Sequence, residues 1–163
     1  MNTLLVSSKY PPEYSGSGHR AHWLYRRLTA QDPELRVRVL SGSEQHNECL
    51  AYEHEGIAVQ RIAGKPCPNR ITGLCRYWRN ARNFGAEYAL ATAWLAQQPQ
   101  PDLIHIFGQS TVTTAALCHA RRQRLPVLLE LCNELGSPWP YVPPPFSLWR
   151  RPWLHDRFLL VCI

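Results

Sequence analysis

Short, almost continuously apolar segments alternate along this chain with stretches of helical periodicity. That alternation restricts the fold more than any other feature. Residues 3–7 (TLLVS), 36–40 (RVRVL), 57–62 (IAVQRI), 102–107 (DLIHIF) and 126–132 (PVLLELC) read as strands, each bounded by polar or turn residues. Residues 18–31 carry Ala21, Leu24, Tyr25 and Leu28 at helical spacing. A second helix is expected from about Tyr77 to Gln98, with Ala81, Phe84, Tyr88, Ala91 and Leu95 as its apolar stripe and Pro99 and Pro101 as its stop. A third, 111–124, turns Val112, Ala115, Ala116 and Ala120 inward and places Arg121, Arg122 and Arg124 where they suit the helix dipole. Strands apolar along their whole length are covered on both faces, which implies a parallel sheet with helices on either side. Right-handed crossovers make this a doubly wound sheet. The expected class is α/β, Rossmann-like.

At 163 residues the chain is about one domain on the usual prior of roughly 100–200 residues, and 45% hydrophobic against 18% charged residues excludes a disordered chain. No apolar run approaches the roughly 20 residues of a membrane helix. The N-terminus lacks the basic flank, apolar segment and cleavage site of a secretory signal, so a cytoplasmic protein is expected. The cysteines at 49, 67, 75, 118, 132 and 162 include no C-x-x-C pair. They point away from structural zinc or a redox dithiol and are expected to be mostly buried small hydrophobes.

The last thirty residues differ from the rest. Residues 136–157 hold six prolines and three tryptophans, and 158–163 (FLLVCI) read as a sixth strand with no helix after it. A free carboxylate ending a buried parallel strand is costly, so the chain is expected to be cut short. Trp139, Trp149 and Trp153 suit either a sugar- or lipid-facing lid or a proline-fixed loop packed onto the domain.

In an open parallel sheet, ligands bind beyond the carboxyl ends of the strands where strand order reverses, here between the first and fourth. Ser7 and Ser8, Gly16-Ser17-Gly18, Gly108-Gln109-Ser110 and Cys132-Asn133-Glu134 occupy those ends. Gly16-Ser17-Gly18-His19-Arg20-Ala21 fits the dinucleotide fingerprint G-x-G-x-x-A. Two features oppose that reading: residues 8–15, with Pro11 and Pro12, separate the glycines from the first strand, and Ser41 and Gly42 follow Leu40 where an acid belongs. The glycines still let backbone N–H groups approach an anion at a helix N-terminus, or serve as a plain helix cap. His105, inside the fourth strand, reads as a packed core histidine, and Glu134 as the better placed functional carboxylate.

Charge is uneven. The balance is 18 − 12 = +6, and between Glu55 and Glu87 there is no acid, while Arg61, Lys65, Arg70, Arg76, Arg79 and Arg82 contribute +6. Such a face suits anionic lipid, nucleic acid or phosphorylated substrates, and equally a solvated helix face and loop.

Leu4-Leu5-Val6-Ser7-Ser8-Lys9-Tyr10-Pro11-Pro12 with Ser15-Gly16-Ser17-Gly18 forms a strand running into a proline and glycine loop. With residues 101–108 (PDLIHIFG) and 126–130 (PVLLE), these stretches resemble the N-terminal, acceptor-side domain of family 4 glycosyltransferases, which have the GT-B fold. The similarity spans essentially the whole chain, as residues 1–163 of half a GT-B architecture whose C-terminal donor domain is absent. The resemblance implies retaining transfer of a sugar from a nucleotide-sugar donor to a saccharide, lipid-linked or small-molecule acceptor, of hexosyltransferase type. It implies no cofactor and no obligatory metal, and a fragment inactive alone. Carried over by motif, Gly16, Ser17 and Gly18 would meet the donor diphosphate, and Gly108, Gln109 and Ser110 would line the cleft on the acceptor side. Many relatives have a histidine at the end of the fifth strand. Here Leu131-Cys132-Asn133-Glu134 stands in that place, which leaves Asn133 and Glu134 as the catalytic candidates.

Two other classes share these features. A nucleotide-dependent oxidoreductase or epimerase domain is opposed by the missing acid after Leu40 and is removed by absence of NAD(P) binding. A non-catalytic binding module for nucleic acid or an acidic partner is opposed by scattered aromatics and the lack of a nucleic-acid motif, so no nucleic acid is expected as partner. Many such glycosyltransferases dock on anionic membranes, and Arg70, Arg76, Arg79 and Arg82 would serve that purpose here, making the protein peripheral at the inner membrane face. Neutralising Arg76, Arg79 and Arg82 is expected to weaken binding to anionic liposomes in a sedimentation assay. Unchanged binding removes the membrane from the account.

Overall fold

The computed structural model describes residues 1–63, 73–131 and 159–162, with side chains described over 1–63 and 82–130. The elements are β1 (Asn2–Ser7), α1 (Gly16–Gln31), β2 (Arg36–Ser41), β3 (Leu50–His54), β4 (Ile57–Arg61), α2 (Gly73–Gln97), β5 (Leu103–Phe107), α3 (Thr111–Gln123), β6 (Val127–Leu131) and β7 (Leu159–Cys162). The strands form one sheet in the order β3-β4-β2-β1-β5-β6-β7. Every neighbouring pair is parallel except β3 with β4. Counting the parallel strands alone, the order is 3-2-1-4-5-6, the doubly wound Rossmann arrangement.

Alternation along β1 divides the interior into two cores. Leu4 and Val6 face one side, where Leu40, Ile104, Ile106 and Leu129 pack beneath Ala91 and Leu95 of α2 and Val112, Ala115, Ala116 and Ala120 of α3. Leu5 faces the other, with Val39, Ile57, Val59 and Phe107 beneath Ala21 and Tyr25 of α1. The helices therefore cover both faces, as apolar strands of this kind require.

Three expectations change. The sheet is not purely parallel, because β3 adds an antiparallel edge strand. Its sequence, LAYEH, has only three apolar residues before Glu53 and His54, and its largely exposed burial pattern shows why: an edge strand has little to bury. The two-residue turn that joins it to β4 has positive φ at both Glu55 (48°) and Gly56 (81°), the geometry of a type I′ hairpin. Secondly, α1 begins at Gly16 and not Gly18, because Ser15, extended at φ −161°, caps it by accepting the Gly18 N–H. Finally, the described cysteines are not buried: Cys49 is exposed and Cys118 half-buried, both free thiols. The expected sixth strand is present as β7, in register with β6. The tryptophans at 139, 149 and 153 lie outside the described residues. Among the described residues no helix is long and apolar enough to cross a membrane. Arg82 of the basic run is exposed on α2.

His105 is a core residue. It is 4% exposed on β5, and its Nδ1 lies 2.8 Å from the Tyr25 hydroxyl on α1. Burial lowers its pKa from 6.5 to about 4, so the native imidazole is neutral at pH 7. Burial raises Tyr25 far above its usual value, which keeps the phenol protonated. The depressed histidine makes the unfolded chain bind the extra proton first as pH falls. Its stabilising contribution is complete above pH 6.5 and disappears as pH drops toward 4. Between pH 7.5 and 5 the linkage removes about 2 kcal/mol. Urea unfolding at both pH values should show that loss in the native sequence, and a shallower pH dependence in His105→Gln.

Candidate functional site

The carboxyl ends of β1 and β5 lie side by side, with Ser7 opposite Phe107, and the chain departs in opposite directions from them. This is the switch point. Backbone hydrogen bonds tie the strand ends to one another: Ser8 N–H donates to Phe107 O (3.3 Å), Gly42 N–H to Ser7 O (3.1 Å) and Gly108 N–H to Glu130 O (3.0 Å).

The β1–α1 loop is tied to its surroundings at several points. Tyr10 is wholly buried beneath it, and Tyr52 donates its hydroxyl proton to Pro11 O at 2.8 Å. The peptide between Pro11 and Pro12 is cis. Glu13, 4% exposed, accepts from Ser43 Oγ (2.6 Å) and from the Glu44 N–H (2.9 Å), joining the loop to the end of β2. Lys9 pairs with Glu44 at 2.6 Å along the same seam.

At the switch point the structure brings together two groups of sequence-predicted residues. Ser15 Oγ and Ser17 Oγ are 3.0 Å apart, and Ser17 Oγ is 3.4 Å from Ser8 Oγ. Gly108 faces these hydroxyls with φ +72°; a Cβ there would stand 3.3 Å from both Ser17 Oγ and Ser8 Oγ. Gln109 and Ser110 follow, half-buried, and Ser110 caps α3 in a reciprocal capping box with Thr113. The N-termini of α1 and α3 thus meet at one crevice, and neither first turn contains an acid. Two helix N-termini with their partial positive charge and orphan N–H groups, lined by hydroxyls and glycine, suit an anion.

The two glycines of α1 have different surroundings. Gly16, at the first helical position, has nothing within 4 Å of where a Cβ would stand. Gly18 is pressed against the preceding loop, so that a Cβ would lie 2.3 Å from Lys9 O, and its N–H is held by Ser15 Oγ at 3.2 Å. Its backbone closeness fixes where α1 starts relative to β1.

Arg20 and Glu130 were not singled out from sequence, yet they form an ion pair from α1 to β6 across the crevice, with Glu130 8% exposed. The signal was a single acid inside the otherwise apolar segment 126–132. Asn133 and Glu134 lie outside the described residues. Among the described residues the group able to ligate a metal is His22, His54 and Glu55, set between α1 and the β3–β4 hairpin. Gly18→Ala is expected to cost about 1–3 kcal/mol, because a backbone carbonyl must move. Gly16→Ala should stay within about 0.5 kcal/mol of the native chain. Urea unfolding of both variants checks the contrast.

Compared with known families, residues 15–160 match the glycosyl transferase 4-like domain. No curated protein sequence matches the chain. Among solved structures, it is similar to UGT89C1 of Arabidopsis thaliana complexed with UDP, at 14% identity and a TM-score of 0.46, over 82% of this chain and 34% of that one. It is also similar to apo UGT2 of Phytolacca americana, at 13% identity and a TM-score of 0.41, over 83% of this chain and 30% of that one. The chain spans about a third of the length of each. Because the family match runs from the N-cap of α1 into β7, and so takes in all three helices and most of the chain, the chain belongs to the glycosyl transferase 4-like domain family.

Proposed function

We propose that this chain is the acceptor-side half of a two-domain GT-B glycosyltransferase, transferring a hexose from a nucleotide-sugar with retained anomeric configuration. The observation that carries the reading is the crevice at the switch point, where the α1 and α3 N-termini converge on serine hydroxyls and Gly108 in a chain of this family. The bond between the anomeric carbon and the diphosphate oxygen breaks, an acceptor oxygen takes its place, and the nucleoside diphosphate and a proton leave.

In this proposal the α1 N-terminus opposes the charge that develops on the departing diphosphate. Gly16 and Ser17 supply backbone N–H groups, and Gly18 holds the turn in place through its contact with Lys9. Gly108, Gln109 and Ser110 form the floor toward the acceptor. Asn133 and Glu134, which follow β6 in sequence, are assigned to the reacting sugar. Catalysis requires the donor domain, so residues 1–163 alone are inactive. Docking on an anionic membrane rests on the basic run to which the exposed Arg82 belongs.

Proline tests this reading without disturbing the fold. Gly16 occupies the first helical position, where proline is well accommodated, and Ser15 before it is already extended (φ −161°, ψ 129°), as a residue preceding proline must be. Gly16→Pro removes one N–H and little else. In the protein at its native length, assayed with a panel of nucleotide-sugars, it is expected to lower kcat/KM by about tenfold to a hundredfold with unchanged thermal stability. Unchanged turnover removes the α1 N–H groups from the mechanism. NMR of the product's anomeric proton decides retention, and binding of NAD(P) in place of any nucleotide-sugar overturns the whole reading.

A further inference from the structure

We propose that His22, His54 and Glu55 form a binding site for a divalent transition metal of the zinc type, separate from the switch-point crevice. One ligand atom from each of the three lies within 4.8 Å of the others. His22 Nε2 and Glu55 Oε2 are 3.1 Å apart. Two ligands on a tetrahedral zinc ion with bonds of about 2.0–2.1 Å stand about 3.3 Å from each other, so this pair already has the required span. The imidazoles of His22 and His54 have their centroids 4.9 Å apart at an interplanar angle of 60°, side by side and not stacked. Two imidazoles and a carboxylate are the donor set of zinc and its neighbours in the first transition row, and leave a fourth position for water.

The surroundings hold the ligands in place. His22 is 4% exposed on α1, and its other ring nitrogen, Nδ1, lies 2.9 Å from the Tyr10 hydroxyl. An outer hydrogen bond of this kind fixes the ring of a metal-bound histidine and, with Nδ1–H donating to the phenol oxygen, frees Nε2 for the metal. His54 and Glu55 are consecutive residues held by the hairpin whose positive φ values at Glu55 and Gly56 make the turn sharp. Glu55 is exposed, which leaves the site open to solvent. Arg26 Nη1 now pairs with the same Oε2 at 2.7 Å. Its guanidinium also lies over the Trp23 ring, 5.1 Å from the centroid, where it can remain when a metal takes the carboxylate. A bound ion would join α1 to the β3–β4 hairpin and, through Tyr10, to the β1–α1 loop.

The test is Zn2+ titration of the purified protein against a chromophoric chelator, with Co2+ as the spectroscopic probe. His54 and Glu55 border an open turn, so His54→Gln and Glu55→Gln leave the packed side of α1 intact. The native protein is expected to bind one Co2+ with the visible bands of nitrogen and oxygen ligation and no thiolate charge-transfer band from its cysteines. Each variant should weaken Zn2+ binding by at least about tenfold. In the native protein, the imidazole proton resonances of His22 and His54 should shift together as Zn2+ is added, a readout that needs no variant. Thiolate-only spectra, native affinity in either variant, or unmoved His22 and His54 resonances overturn the site. Sugar transfer enters none of these readouts, so failure here leaves the glycosyltransferase proposal untouched.

Discussion

Everything in this molecule is arranged around β1, a strand of six residues with hydrogen-bonded neighbours on both sides and packed side chains on both faces. Leu4 and Val6 need cover on one side and Leu5 on the other, so helices must leave the sheet on both faces. With right-handed crossovers, this sends the connection from β1 to β2 one way and the connection into β5 and β6 the other. The reversal opens a crevice at the carboxyl end of β1, where serines and glycines replace bulk. Position, and not any single residue type, makes that edge the candidate site.

Polar contacts around the crevice are placed to keep it shaped. Glu13 takes two hydrogen bonds from the end of β2, Arg20 reaches Glu130 on β6, and Ser15 and Ser110 cap the two helices that converge there. Each is a charge or dipole whose desolvation is offset by a partner, which explains how a loop with two prolines and several polar groups can sit over a buried core. Pre-formed donors at such a site need no reorganisation when an anion arrives.

The parallel strands were legible because their apolar runs are short, dense and bounded, and the doubly wound class, with its reversal between the first and fourth of them, followed from the alternation of strands and helices. β3 was not, since Glu53 and His54 lie in an edge strand that has almost nothing to bury, and Glu-Gly is a weak announcement of a hairpin. The glycines at 16 and 18 were visible as a pair, but sequence could not separate them. Only the distance to the Lys9 carbonyl shows that one is a packing requirement and the other stands in open space. Arg20 and Glu130 lie 110 positions apart, and no local pattern joins residues so distant. A separation of 33 positions likewise hides His22 from Glu55 and its neighbour His54, with which it shares no periodicity.

The central position of β1 also sets a timetable. Its partner on one side, β2, is finished by residue 41, whereas Thr3 meets Leu103 on the other, 103 − 3 = 100 residues later. A ribosome must therefore reach Phe107 before the second edge of β1 can close along its length. Until then an apolar strand with unpaired backbone groups stands open to any other chain. Contacts of such long separation also slow folding, because chain entropy is lost before they repay it. The crevice between β1 and β5 therefore cannot exist before β5 has been made, and its presence reports that the two halves of the sheet have been joined.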